Sequence, residues 1–161
     1  MILHRLSKKG FATDMSGMGA KLNGGRWTPD GIPVIHCALS FGVAVLELLT
    51  KMSLKQIKAQ YSHVELFVPD SVPVEKIDIK SLPAGWDCSP YNKKLWPIGS
   101  DWIRRNESLL LIVPSVVVDG HDSNCLINVG HPEFHQVKLN GPPRPFVFDE
   151  RFVEMVRLQV S

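Results

Sequence analysis

Residues 16–27 read Ser-Gly-Met-Gly-Ala-Lys-Leu-Asn-Gly-Gly-Arg-Trp, with four glycines inside nine residues and an Arg-Trp pair at the close. Glycine accepts positive φ and lets a ligand approach the backbone closely. The Arg26 guanidinium offers a planar fork of donors that fits phosphate oxygens two at a time. Such a stretch suits a polyanion better than a hydrophobic core. Further along, the apolar segment 40–52 carries a single acid, Glu47. A phosphate-binding loop, an arginine and a solitary glutamate close together in sequence are the chemistry to be explained.

The elements that must position these groups follow from periodicity and punctuation. Residues 2–7 form a short strand that ends near His4 and Arg5, and residues 18–22 form a helical turn inside a longer loop. Thr28-Pro29-Asp30-Gly31 is a turn, with proline, aspartate and glycine each placed for its own dihedral reason. Residues 32–38 then form a strand. Ser40 is an N-cap for a helix over 40–52, in which Val45, Leu48, Leu49 and Met52 stand at i, i+3, i+4 and i+7 as a core-facing stripe. Glu47 points away from that stripe, on a side shared with Val43, Ala44 and Thr50. Its plainest role would be a surface pair with Lys51, worth a few tenths of a kcal/mol.

Downstream, strands are expected at 63–68, 75–79, 109–113, 126–128, 136–139 and 145–148. Residues 81–106 form a connector, helical over 90–94 and 100–105, with Trp86, Trp96 and Trp102 anchoring it to the core. Strands dominate the C-terminal half without regular βα alternation, which makes the chain α+β. Its 161 residues suit one domain with a real core.

Several functions are disfavoured. A formal net charge of +2 is too small to make nucleic acid the main partner, and Lys8-Lys9, Lys93-Lys94 and Arg104-Arg105 read as solvated doublets. No apolar run reaches the ~20 residues that a bilayer needs, and the first residues lack the apolar centre of a signal peptide. Three widely spaced cysteines fit buried thiols in a reducing compartment, so a cytoplasmic location is expected. The run His131-Pro132-Glu133-Phe134-His135 has metal-like ingredients, but Pro132 argues against two histidines on one helix face. No metal is expected. Ser115 lacks the flanking glycines of a nucleophile elbow. The glycine loop is neither a Walker A loop nor a dinucleotide fingerprint.

Taken in order, Gly19-Ala20, Gly24-Gly25-Arg26-Trp27, Gly31, Pro33-Val34, Leu46-Glu47, Val113-Pro114-Ser115, Leu126-Ile127-Asn128 and His131-Pro132 resemble the RES domain family. Gly85-Trp86, Trp102 and the closing run Phe148-Asp149-Glu150-Arg151-Phe152 match its course, so the resemblance covers nearly the whole chain. It implies a compact mixed α/β domain with a central, largely antiparallel split sheet, ADP-ribosyltransferase-like, extending over residues 1–161. It further implies the toxin of a bacterial toxin–antitoxin pair that degrades NAD+ by cleaving the nicotinamide–ribose bond, by hydrolysis or phosphorolysis. A protein ADP-ribosyltransferase, or an impaired module that binds NAD+ or antitoxin, are the alternatives. The implied partner is an antitoxin with an Xre-like helix-turn-helix region. Direct nucleic-acid and membrane contacts are not implied, and a homodimer stays open.

The residues that name the family would be Arg26, Glu47 and Ser115. Arg26 would clamp the pyrophosphate or an adjoining ribose beside Gly25, Glu47 would hold the ribose hydroxyls, and Ser115 would donate to the same dinucleotide. His36 stands where many members have a tyrosine that stacks on nicotinamide, so stacking here would be weaker or pH-dependent. Arg5 is a further cofactor-binding candidate. One glutamate makes chemical sense. Ordinary glycosidases need two carboxyl groups because the leaving oxygen must be protonated. Nicotinamide departs neutral, so what remains is to hold the molecule and stabilise an oxocarbenium-like ribose.

Overall fold

The computed structural model describes residues 1–57, 59–91 and 93–158. Among these residues eight strands form one sheet: β1 (Ile2–Lys8), β2 (Val34–Ala38), β3 (Tyr61–Phe67), β4 (Val74–Lys76), β5 (Leu110–Pro114), β6 (Ser123–Asn128), β7 (Lys138–Leu139) and β8 (Arg144–Phe146). Their order is β4-β5-β6-β2-β1-β3-β7, with β8 also on β3. Every pairing is antiparallel except β4 with β5.

The sheet is split down its middle. β2 pairs with β6 along its whole length, from Val34 opposite Asn128 to Ala38 opposite Asn124, and β1 pairs with β3 from Ile2 to Lys8. β1 and β2 themselves meet at one register pair, His4 with Ala38. Beyond that bridge the two halves diverge, and space opens between them.

Among the described residues five α-helices surround the sheet: α1 (Met18–Asn23), α2 (Phe41–Leu49), α3 (Leu54–Ile57), α4 (Trp96–Arg105) and α5 (Glu150–Leu158). α2 starts where sequence places it, with Ser40 Oγ accepting from the Val43 amide at 3.3 Å. Its most buried residues are Val43 and Ala44, at 4% and 8% exposure. The stripe Val45, Leu48, Leu49 and Met52 is only partly buried, against Tyr61, Phe148 and Ile57. The tighter face is thus the one that also carries Glu47, because α2 lies over the junction of β1 and β2.

The core occupies both sides of the sheet. One cluster gathers Leu3, Ile35, Val64, Leu66, Leu110 and Ile127. The other gathers Trp27, Leu95, Trp102, Leu111, Val113 and Leu126, with Trp86 packed against it. Trp102 is fully buried and donates to Ser108 Oγ at 2.8 Å, which anchors the connector as its tryptophans suggest. The helical stretch expected at 90–94 includes residue 92, outside the described residues; a 3-10 turn covers Lys93–Leu95. Arg105 is not a solvated doublet member, since it bonds Glu75, Asp101 and Glu107 and ties α4 to β4. Cys88 is exposed, while Cys37 and Cys125 are buried opposite each other. Sequence reading missed the C-terminal helix α5, although Asp149 stands before it as a cap, its Oδ1 accepting from the Arg151 amide at 2.9 Å. No helix of the described residues is long and apolar enough to cross a membrane.

α4 crosses the Arg26-Trp27 segment at Gly99, where a Cβ would overlap the Trp27 carbonyl oxygen. Backbone cannot move aside as a flexible side chain can. Gly99→Ala should therefore lower stability by about 1–3 kcal/mol, the usual range for overpacking, read as a lower urea midpoint with unchanged slope. An unchanged midpoint would show that α4 is free to shift.

Candidate active site

Glu47 stands on the second turn of α2, half-buried. Its Oε1 accepts from Ser115 Oγ at 2.8 Å and from Asn124 Nδ2. Ser115 follows the end of β5, and Asn124 lies on β6 opposite Ala38. A second tie holds the same elements together. Ser40 Oγ, the α2 cap, donates to Asp122 Oδ2 at 2.6 Å, and the Asp122 carbonyl accepts from the Ser115 amide at 2.9 Å. Hydrogen bonds to a charged group contribute about 1.5–3 kcal/mol each, enough to hold one rotamer. Both donors use the same oxygen, and Oε2 has no partner among the described residues.

Two joined pockets flank this carboxylate. The first, about 230 Å³, is lined by the 24–27 segment, Gly19, His36, Glu47, Lys51 and Asn124. The second, about 140 Å³, shares His36, Glu47, Lys51 and Asn124 and is completed by His4 and Arg5 on β1. A third, about 210 Å³, continues past Arg5 and His36 toward Gly17 and Asp14. The second and third are the opening left where β1 and β2 part, and the first adjoins it on the side of the 24–27 segment, with His36 as its β2 wall. Among the described residues Glu47 is the only acid lining the first two pockets, and Arg5, Arg26 and Lys51 surround it with positive charge. The larger cavity, about 850 Å³ under β8 and α5, shares no lining residue with this cleft and is walled by Tyr61, Phe146 and Phe148. It gathers no comparable set of charges.

The structure brings Arg26, Glu47, His36 and Gly25 to one pocket, and Arg5 to its neighbour. Ser115 is fully buried. Its hydroxyl goes to Glu47, so it supports the acid from behind and does not open onto the cleft. The amides of Gly24 and Gly25 are consumed inside the loop, by Ala20 O at 2.7 Å and Thr28 O at 2.8 Å. The loop is thus not a cradle of outward donors. Gly24 is needed for its positive φ of 62°, where a Cβ would lie 2.8 Å from the Asp30 nitrogen.

Arg26 Nη1 donates to the carbonyls of Trp86 at 2.7 Å and Cys88 at 3.1 Å, and its guanidinium lies over Tyr91. Trp96 Nε1 donates to Gly25 O at 2.9 Å. Arg26 thereby pins the 86–91 segment to the cleft rim, and Nη2 and Nε have no described partner. Arg5 is held by Asp14 O at 2.6 Å. Lys51 makes no ion pair with Glu47 among those described; both face the cleft. His131 and His135 serve their own turn, through the Glu133 amide at 3.1 Å and Pro132 O at 2.8 Å. Asn124 was missed by sequence reasoning, since an asparagine in a short strand carries no signal until β6 is set beside α2.

His36 is the exposed residue of β2, its ring standing in the cleft beside Gly25. Desolvation by the walls pushes its pKa down, to about 4, helped by Lys51 and opposed by Glu47. The ring's access to solvent moderates that effect.

Comparison with known proteins places this geometry in a family. The model of the RES domain matches residues 2–149, and the chain belongs to the RES domain family. A "Prs ADP-ribosylating toxin" from Sphingobium sp. is 35% identical over 144 residues, covering 88% of each chain. A "Toxin Res" from Photorhabdus laumondii is 31% identical over 155 residues, covering 96% of this chain and 98% of the relative. Among solved structures, the M. tuberculosis MbcT–MbcA toxin–antitoxin complex contains a chain that matches with a TM-score of 0.76 at 17% identity, over 98% of this chain and 88% of that one. The fold is ADP-ribosyltransferase-like, as the sequence resemblance implied.

A depressed pKa means that between about pH 4 and 6.5 the unfolded chain binds a proton that folded His36 refuses. Its contribution to stability is therefore whole above 6.5 and declines as acid is added through that window. An imidazole titration by NMR should place the His36 midpoint well below 6.5; a midpoint at or above 6.5 would show that solvent, not the walls, governs the ring.

Proposed function

We propose that this protein is the toxin of a bacterial toxin–antitoxin pair and that it consumes NAD+ by breaking the nicotinamide–ribose bond. The observation that carries the reading is a single acid, Glu47, in a cationic cleft, with one oxygen tethered by Ser115 and Asn124 and the other untethered. Glycosidic cleavage of an uncharged leaving group requires a second carboxyl to supply a proton. Nicotinamide already carries its positive charge in NAD+ and leaves neutral, so one carboxylate suffices. Glu47 Oε2 would take the ribose hydroxyls and face the positive charge that develops at the anomeric carbon. Because its partner oxygen is fixed beforehand, little reorganisation is needed in the transition state.

The remaining residues take roles consistent with their placement. Arg26 offers Nη2 and Nε to the diphosphate while Nη1 holds the rim. Arg5 and Lys51 add positive charge, Gly25 leaves room, and His36 stacks on or bonds the base. Ser115 acts on the substrate through Glu47. Water or phosphate would accept the ADP-ribosyl group. The cognate antitoxin would carry an Xre-like helix-turn-helix region and close over the cleft. Transfer to a protein is the second reading, favoured by the name of the Sphingobium relative.

Purified protein should release nicotinamide from NAD+. Glu47→Gln, which keeps the shape and removes the charge, should lower release by about 10²–10³-fold, the usual loss when an electrostatic stabiliser is removed, with an unchanged circular dichroism spectrum. Turnover retained in that variant would refute the role of the glutamate. Carrying out the reaction with NAD+ labelled in the adenylate separates the acceptors: free ADP-ribose for water, a phosphorylated product for phosphate, labelled protein for the second reading.

A further inference from the structure

On the flank of the cleft opposite Arg26, four side chains from β1, β3 and β8 form a continuous hydrogen-bonded chain. The Glu65 carboxylate accepts from the Arg144 guanidinium and, at 3.0 Å, from Asn140 Nδ2. Arg144 Nη2 lies 3.2 Å from His63 Nδ1. His63 Nε2 lies 3.0 Å from His4 Nδ1. The sheet register builds this chain, placing His63 opposite Arg144 and His4 opposite Glu65. His63 is 8% exposed, and the Phe41 ring packs on it with centroids 4.3 Å apart. His4 lines the 140 Å³ pocket together with Glu47, Lys51 and Asn124.

The direction of each hydrogen bond follows from donor inventory alone. A guanidinium has donors and no acceptor, so His63 Nδ1 must present a lone pair. The neutral ring then carries its hydrogen on Nε2, which donates to His4 Nδ1. His4 in turn carries its hydrogen on Nε2, at the ring edge away from His63. Desolvation first, then any positive charge on His4 and that of Arg144, lowers the His63 pKa below its ordinary value against the pull of Glu65, the direction that a neutral ring in this chain requires. No described group accepts the His4 Nε2 hydrogen.

His4, His63 and Glu65 also have the composition of a transition-metal set, with ligand atoms within 4.8 Å of one another. A metal on His63 Nε2 would require the hydrogen on Nδ1, where the Arg144 donors already point. Ligating histidines instead donate that second N–H to an acceptor. The guanidinium decides the matter in favour of the relay.

We propose that Glu65, Arg144 and His63 fix His4 as an Nε2–H donor to an acceptor oxygen of the ligand bound against Glu47, which makes His4 a further binding residue of the cleft. The identity of that ligand as NAD+ rests on the function proposed above; the tautomer does not. In protein labelled with nitrogen-15 histidine, long-range proton–nitrogen spectra at neutral pH should show His4 and His63 each as the Nε2–H form, and Arg144→Met should turn His63 into a mixture of tautomers. Nδ1–H on His4 would overturn the relay. With non-cleavable carba-NAD+ as probe, His4→Ala should weaken binding about tenfold, the worth of one hydrogen bond of about 1.4 kcal/mol. His4→Gln, whose amide nitrogen stands near the position of Nε2, should remain within about threefold. Equal losses in the two variants, or none in either, would overturn the donor role. Failure of the unaltered protein to bind carba-NAD+ would instead sink the NAD+ reading, and the His4 spectrum would then decide the relay by itself.

Discussion

A carboxylate with one oxygen satisfied and the other left over is the interaction on which this molecule depends. Glu47 is on a helix, Ser115 follows a strand, and Asn124 is on the neighbouring strand, so the bond set joins three elements. Ser40 secures the join by capping the helix and bonding Asp122, two residues before Asn124. A long acidic side chain on a helix surface ordinarily samples several rotamers. Here the buried hydroxyl behind it and the amide beside it select one, and the helix face that carries it is also the face pressed most closely onto the sheet.

The second constraint is the parting of β1 and β2. Two well-paired half-sheets meeting at one bridge leave a wedge of space with backbone on both sides. The wedge is lined by His4, Arg5 and Leu6 from one wall and by His36, Cys37 and Ala38 from the other. Positive groups from three segments converge there although the chain as a whole is nearly neutral. Arg26 does two things at once, holding the 86–91 segment through Nη1 and leaving the rest of its fork toward the pocket.

Much of this was legible in the sequence, and the limits have physical causes. Strands 2–7, 32–38 and 109–113 and the Ser40 cap were readable because alternation, apolar runs and capping chemistry are local signals. The glycine loop was legible as a special backbone but not as to what its amides do. Gly24 and Gly25 spend theirs on Ala20 and Thr28, a pairing that depends on how the 28–31 turn folds back. The resemblance singled out Ser115, yet its burial and its aim at Glu47 arise from long-range packing. Asn124 and the Arg144–His63–His4 chain are the same kind of case, cross-strand neighbours whose register no local pattern reveals.

The most direct measurement is a crystal structure with carba-NAD+ bound. The account predicts the diphosphate beside Arg26 and a hydroxyl of the nicotinamide ribose within about 3 Å of Glu47 Oε2, with Oε1 still on Ser115 and Asn124. A dinucleotide seated in the cavity under β8 and α5, or one whose ribose lies away from Glu47, would contradict it.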